Sequence, residues 1–296
     1  MKKKKKKMHS RELGLILLEQ LFDMEDLHYG LWEKDLELSI FNAKIAQQRY
    51  NEMILSTLPS INNEGAEIHV LDIGCGTGNL MAQMLDKGYY VDGVSPSESL
   101  TKRIKRGLGN YPENKTNVFE CKFQNFPDEQ CKKQYDVAIF SESFQYIPMQ
   151  YSFGKLQNLI KPEGSIIICD FFKTEAHGDG QKGDRSFGGG HRMSKFYAEI
   201  QDTPFTIQRD DDITSLVSPN IQLVNDLLMN KIYPASVTLD SYVKDNYSFI
   251  YFLRKLTFCL FKKKLRKIKY KYFSGYRSKE VFERYKTYRL MILKYK

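Results

Sequence analysis

The stretch "VLDIGCGTGNL", Val70 to Leu80, places glycines at 74, 76 and 78, with Asp72 two positions before the first. Alternating glycines after an apolar run let the backbone turn sharply from strand to helix and approach a ligand closely. Two common ligands of such turns fit poorly. The dinucleotide fingerprint G-x-G-x-x-G needs its third glycine at 79, where Asn79 stands, and an acid about 20 residues further on. The second apolar run instead ends at Ser95. No G-K-[ST] follows, which excludes a phosphate-binding P-loop.

The elements that must position this turn are readable from periodicity. Short apolar runs at 68–73, 90–94, 118–123, 135–140 and 165–171 alternate with helical stretches that begin near Asn79, Glu98 and Tyr151. Strands alternating with helices predict right-handed βαβ units and a parallel sheet covered on both faces. Upstream, Leu13, Leu17 and Leu21 stack at helical spacing, and Ile40, Ala43, Tyr50 and Ile54 predict a second helix; the aromatic "DLHYGLWEKD" lies between them as a loop. Residues 177–191 hold six glycines in fifteen positions, a flexible loop or lid. The expected organisation is a disordered lysine tail over 1–9, a helical cap over 10–60, an α/β domain over 61–240 and a basic, aromatic, helical region over 241–296.

At 296 residues, 42% apolar and 27% charged, the chain is long enough for a well-buried core. No apolar run reaches the roughly 18 residues of a membrane span. The lysine run lacks the apolar stretch of a signal peptide. Five cysteines form no C-x-x-C pair, so reduced thiols in a cytoplasmic protein without a metal are expected. The net charge of +9 is uneven: residues 254–296 carry 16 Lys/Arg against two acids, a balance of +14. An acidic body with basic ends is not a uniformly basic nucleic-acid binder, yet its ends can meet an anionic surface.

"LDIGCGTGNL" closely resembles motif I of class I S-adenosylmethionine-dependent methyltransferases. "GYYVDGVSPSESL", "QYDVAIFSESFQYI" and "KPEGSIIICDFF" follow in that family's order and spacing, so that the likeness covers about residues 28–172. The resemblance implies a doubly wound, Rossmann-like, mostly parallel sheet of about seven strands, with S-adenosylmethionine bound over the strand ends and S-adenosylhomocysteine as product. It implies that Gly74, Gly76 and Gly78 pass under the cofactor, with Asp72 ordering the loop and Cys75 and Asn79 within the same binding turn. Ser95 stands where many relatives carry the ribose-binding acid. That departure looks like the branch holding cyclopropane fatty acid synthases and sterol and tocopherol methyltransferases. "DLHYGLW" is similar to that branch's aromatic loop, which by carry-over sets Tyr29 over the sulfonium. Phe123 is expected against the adenine, with Gln124 replacing the acid usual after strand three.

The methyl of such a cofactor is already activated, so the protein mainly supplies orientation, plus a base where the acceptor must lose a proton. Ser141 and Glu142 directly follow strand four and should face the cofactor cleft; Glu142, Tyr146 and His191 are the candidate bases. The branch points to a small, apolar or lipid-like acceptor. In the tail, Phe261, Leu265, Ile268 and Tyr272 form an apolar stripe beside basic residues, which reads as a solvated cap or as an interfacial element at the inner face of an anionic membrane. Nucleic acid fits less well: Ser-Glu-Ser-Phe stands where base methyltransferases carry N/D-P-P-aromatic, and no Pro-Cys pair exists. An RNA methyltransferase of another kind and a non-catalytic cofactor-binding protein stay open.

Overall fold

The structure, a computed structural model, describes residues 19–20, 24–60, 67–127, 129, 132 and 134–296. The lysine tail and the leucines at 13, 17 and 21 lie outside these residues. The chain enters with α1 (Ala43–Leu55), then β1 (His69–Ile73), α2 (Asn79–Asp86), β2 (Tyr90–Val94), α3 (Glu98–Gly107) and β3 (Thr116–Phe119). It continues through β4 (Tyr135–Ser141), α4 (Met149–Leu159), β5 (Ile160–Lys173), α5 (Met193–Gln201) and β6 (Phe205–Asp212). A helical stretch follows as α6 (Pro219–Leu227), α7 (Tyr233–Asn246), α8 (Ser248–Leu260), α9 (Lys262–Tyr272) and α10 (Lys279–Tyr285), and the chain closes with β7 (Lys286–Tyr295).

The strands form one seven-stranded sheet in the order β3-β2-β1-β4-β5-β7-β6, with β1 to β5 parallel and β7 antiparallel to both its neighbours. This is the doubly wound α/β fold expected. The order reverses between β1 and β4, and open α/β sheets bind ligands beyond the strand ends at such a switch point. Alternation along β4 explains why both faces are covered: Val137 and Ile139 enter one core cluster with Val70, Val91 and Ile167, while Ala138 and Phe140 enter the other with Leu71, Ile166 and Ile168. A strand buried on both faces reads as a continuous apolar run, as this one does.

Two local expectations are corrected. The third strand covers Thr116–Phe119, not 118–123: its partner β2 ends at Val94, and Cys121 N turns back to donate to Phe119 O at 3.0 Å. Phe123 therefore starts a short 3-10 turn. The C-terminal region is helical only as far as Tyr285; Lys286–Tyr295 then form the strand β7. β7 lies between β5 and β6, so the sheet that begins before residue 70 is completed by residues beyond 285. Of β7, Tyr288, Leu290, Met291 and Leu293 are buried. Burying each such side chain contributes about 1.5–3 kcal/mol, so four of them are comparable with the roughly 5–15 kcal/mol net stability of a domain. A chain ended at residue 285 should accordingly show no cooperative thermal transition by circular dichroism. A cooperative melt near the full-length midpoint would mean that β7 is dispensable to the sheet.

Candidate active site

The glycine turn sits at the carboxyl end of β1, where Gly74 N and Cys75 N both donate to Val94 O of β2. All three glycines are left-handed, with φ of 86° at Gly74, 53° at Gly76 and 85° at Gly78. Their surroundings differ. A Cβ on Gly74 would lie 2.5 Å from the Ser143 Cβ, and one on Gly78 would lie 2.9 Å from Ile104 Cγ2. A Cβ on Gly76 would meet no protein atom within 4 Å. Gly74 and Gly78 thus close the turn against the fold, while Gly76 faces open space in a conformation costly to other residues.

The aromatic loop before α1 is fastened onto this turn. Asp26 Oδ1 accepts from Thr77 Oγ1 at 3.1 Å, and its Oδ2 accepts from Asn79 Nδ2 at 2.8 Å and from Asn51 Nδ2 at 3.1 Å. His28 Nε2 lies 3.4 Å from the same carboxylate, and the imidazole stacks on Tyr50 at 4.4 Å. Gln47 Nε2 donates to the carbonyls of Asp26 and His28. Any side chain on Gly30 would collide with Ala46, which is how the loop lies so close to α1. Burial alone would raise Asp26, but His28, Asn79 and Thr77 hold it below the usual carboxylate range. Burial would lower His28, yet Asp26 and Glu142 raise it, which favours the imidazolium. Sequence reasoning missed Asp26, His28 and Thr77 as site residues, although all three stand inside or beside the stretches it singled out.

Glu142 follows β4 with a left-handed φ of 51°. Its N–H donates to Cys169 O, and its Oε1 accepts from Tyr29 N at 2.8 Å and from Tyr288 Oη at 2.9 Å. Tyr288 Oη lies 3.0 Å from Tyr50 Oη, itself 3.2 Å from Ser141 Oγ, so Ser141 and Glu142 share one network. Burial raises Glu142 above its ordinary value, opposed by His28 and its two donors. Asp72 is buried and accepts no hydrogen bond from the described residues; burial pushes it up to about 7 although His28 pulls it down. Three carboxylates, Asp26, Asp72 and Glu142, therefore face one imidazole at the mouth of the turn.

The other expected residues divide. Tyr29 is half-buried, edge-on to Phe282 at 6.5 Å and Tyr288 at 6.4 Å, and burial raises its phenol. Ser95 is buried at the end of β2, and its Oγ accepts from Ser97 N at 3.3 Å. Cys75 is buried beside the Gly93 backbone, with its thiol raised well above the ordinary value by burial. Phe123 is 2% exposed and packs tilted on Phe126 and edge-on to Phe140 in the core, so its ring offers no open face for an adenine; Gln124 beside it is half-exposed. Tyr146 is exposed. His191 Nε2 lies 3.0 Å from Phe144 O and 2.9 Å from Ile147 O, and two carbonyl partners make that nitrogen a donor. The imidazole thus braces the glycine-rich loop against the β4–α4 connection, apart from the Glu142 network. That loop is held at further points: Lys286 Nζ donates to Gly189 O at 2.6 Å, and Gly183 N donates to Tyr270 Oη at 3.2 Å.

Comparison with known proteins gives the same picture. The chain is 28% identical over 159 residues to a ubiquinone biosynthesis O-methyltransferase of Rickettsia bellii, a match covering 53% of this chain and 63% of that protein. It is 32% identical over 111 residues to a sterol 4-C-methyltransferase of Caenorhabditis elegans, covering 36% of this chain and 32% of that protein. The chain thus spans less than two thirds of these relatives. Its fold matches a geranyl diphosphate C-methyltransferase from Streptomyces coelicolor, solved with Mg2+, geranyl diphosphate and S-adenosyl-L-homocysteine, with a TM-score of 0.64, 14% identity and coverage of 94% and 93% of the two chains. The family described as "Methyltransferase domain" matches residues 43–198, more than half of the chain and the span that holds the glycine turn, Ser95 and Glu142. On that match, the chain belongs to the methyltransferase domain family.

Proposed function

We propose that this protein binds S-adenosylmethionine at the Gly74–Gly78 turn and transfers its methyl group to a small, apolar acceptor. The observation that carries this is the cluster of three acids, Asp26, Asp72 and Glu142, gathered around His28 beside the glycine turn. Asp26, Asp72 and Glu142 against one imidazole make a site of net negative charge, suited to a ligand carrying an ammonium and a sulfonium. When bound, S-adenosylmethionine supplies the activated methyl. The chain's part is to hold and orient: Asp72 at the turn, Ser95 and Gln124 as hydroxyl and amide partners, and Tyr29 as an aromatic wall. An aromatic face over a cation contributes roughly 0.5–2 kcal/mol. Glu142 has one oxygen occupied by Tyr29 N and Tyr288 Oη; the other accepts no hydrogen bond from the described residues and is placed to take a proton from an acceptor. The relatives' names, a ubiquinone biosynthesis O-methyltransferase, a sterol 4-C-methyltransferase and a geranyl diphosphate C-methyltransferase, support an apolar acceptor. The Asp26–Trp32 loop and α1 act in this reading as a cap that closes the site.

Calorimetry should detect S-adenosylmethionine binding to the wild type and at least tenfold weaker binding to Gly76→Val. Asp72 sets the pH dependence. Its folded pKa near 7 exceeds the unfolded value of about 3.9, so its stabilising protonated form is fully present below about 4 and lost as pH rises through 7. A cation favours the ionised form, so affinity should fall as pH drops from 8 to 6, at most about tenfold per unit. A pH-independent affinity would remove Asp72 from the cation's surroundings.

With methyl-labelled S-adenosylmethionine and a lipid extract, label should enter the organic phase with the wild type. Glu142→Gln should abolish that transfer even at saturating cofactor. Lost affinity with transfer intact at saturation would make Glu142 a bracket for Tyr29 and not a base.

The surface favours presentation of that acceptor at a bilayer. Phe249, Phe252, Leu253, Leu256 and Leu260 recur at helical spacing along α8 and are all exposed, Phe249 and Leu260 by 73%. Lys262, Lys263 and Lys264 follow at once on α9. No helix of the described residues is long and apolar enough to cross a membrane. An exposed apolar stripe continuous with a basic one suits a helix lying in an anionic interface. Sedimentation with phosphatidylglycerol vesicles should fall as salt rises, and both Leu253→Glu and the glutamine substitution of Lys262, Lys263, Lys264 and Lys267 should reduce it strongly. Tight tRNA binding without vesicle binding would instead favour an RNA partner.

A further inference from the structure

Outside the glycine turn, an aromatic chain leads from Tyr29 toward the C-terminal helices. Tyr29 meets Phe282, and Phe282 meets Phe171 at 6.1 Å and Phe187 at 5.2 Å. At its far end Arg277 lies with its guanidinium carbon 5.1 Å from the centres of both Phe187 and Tyr272. The neighbouring arginines are neutralised: Arg284 pairs with Asp179, Arg289 with Asp210 and Asp212, and Arg192 with Glu175. Arg277 alone among these makes no ion pair and no hydrogen bond with the described residues. It is half-buried, and its positive charge is felt at the Tyr29 phenol, next to Glu142. The Tyr29 phenol likewise has no hydrogen-bond partner among the described residues.

An unpaired, partly desolvated cation is costly, and ring faces compensate it only in part. The guanidinium lies over two rings, and its N–H donors, without a partner among the described residues, suit a planar, bidentate acceptor such as a carboxylate or phosphate. The neighbourhood is built to keep it there. Ser278, the next residue, caps α10 by accepting from Val281 N, and Tyr270 and Phe187 join the segment to the glycine-rich loop. We propose that the methyl acceptor is an apolar molecule carrying an acidic group, a carboxylate or a phosphate, and that Arg277 holds that group while the apolar body lies along Tyr29, Phe171 and Tyr272. This rests on the methyl-transfer reading and names the substrate class for that site. Arg277 acts as a specificity residue, at a distance from the reacting atoms.

The test uses the full-length protein saturated with S-adenosylhomocysteine and three probes of one chain length below their micellar concentrations: dodecanoate, dodecyl phosphate and dodecanol. Calorimetry should show at least one anion binding tenfold or more tightly than the alcohol, and the tighter anion identifies the group. Arg277→Gln should reduce that anion to the affinity of dodecanol and leave the alcohol and S-adenosylhomocysteine unchanged. Arg277→Lys should keep part of the preference. The fourfold glutamine variant on α9 should keep all of it. Anions that bind the wild type no better than dodecanol, or not at all, overturn the proposal, as does a preference that survives in Arg277→Gln or disappears in the α9 variant. Binding of S-adenosylhomocysteine is read separately, so a failure of the cofactor assignment is distinguishable from a failure of this one.

Discussion

One carboxylate oxygen joins the parts of this protein that must meet for a site to exist. Glu142 Oε1 accepts from the backbone of Tyr29 and from the phenol of Tyr288, partners 113 and 146 residues away along the chain. It thereby links the N-terminal loop, the end of β4 and the last strand. The left-handed backbone at Glu142 is disfavoured by roughly 1–2 kcal/mol for a residue with a side chain. It persists because Cys169 O fixes the N–H and the two donors fix the carboxylate. Hydrogen bonds to charged groups contribute about 1.5–3 kcal/mol each, enough to outweigh that strain. Strained backbone collects where the surrounding structure over-determines it, and functional sites are the usual place.

From that linkage follows the electrostatic character of the site. The loop brought in by Glu142 carries Asp26 and His28 onto the glycine turn, where Thr77 and Asn79 bind Asp26 directly. Asp26 and His28 compensate each other. Asp72 has no comparable partner among the described residues, and burial raises it to about 7. A buried acid whose ionised form is under-solvated is ready to gain from a cationic ligand, which lowers its pKa and restores the lost stability together. Burial and charge thus point the same way as the geometry of Gly76.

The distribution of charge along the chain has a structural counterpart. Acidic groups gather around the carboxyl ends of the strands, and basic groups gather on α9, next to the exposed apolar face of α8. The two regions touch through β7, whose first residue, Lys286, is fully buried under the glycine-rich loop and donates to Gly189 O. Burial and the like charge of Lys173 lower that lysine to about 7, opposed by the charges of Asp170 and Asp184. The C-terminal region is therefore both the outer surface and a structural part of the sheet.

By itself the sequence determined the features with a local physical signature. The glycine turn was legible because only glycine tolerates three left-handed positions in five residues. The parallel strands were legible because burial on both faces makes them continuous apolar runs. Tyr29 and Glu142 were singled out from the motifs that carry them, and the fold joins the two by a hydrogen bond. What only the tertiary structure decided depends on pairing across long separations. The lysines of the tail masked the alternation of "KTYRLMILKY", and nothing near residue 290 announces that β5 and β6 leave a gap for it. Phe123 was expected against the adenine by its place after strand three in the family pattern; the fold turns it into the core because β2 stops at Val94. His191 looked like a base until two carbonyls from another loop claimed its Nε2. Asp26 and Arg277 carry no sequence signal of their own. One ties α1 to the glycine turn because Asn51, Thr77 and Asn79 converge on its carboxylate, and the other has free donors because no carboxylate of the described fold reaches it.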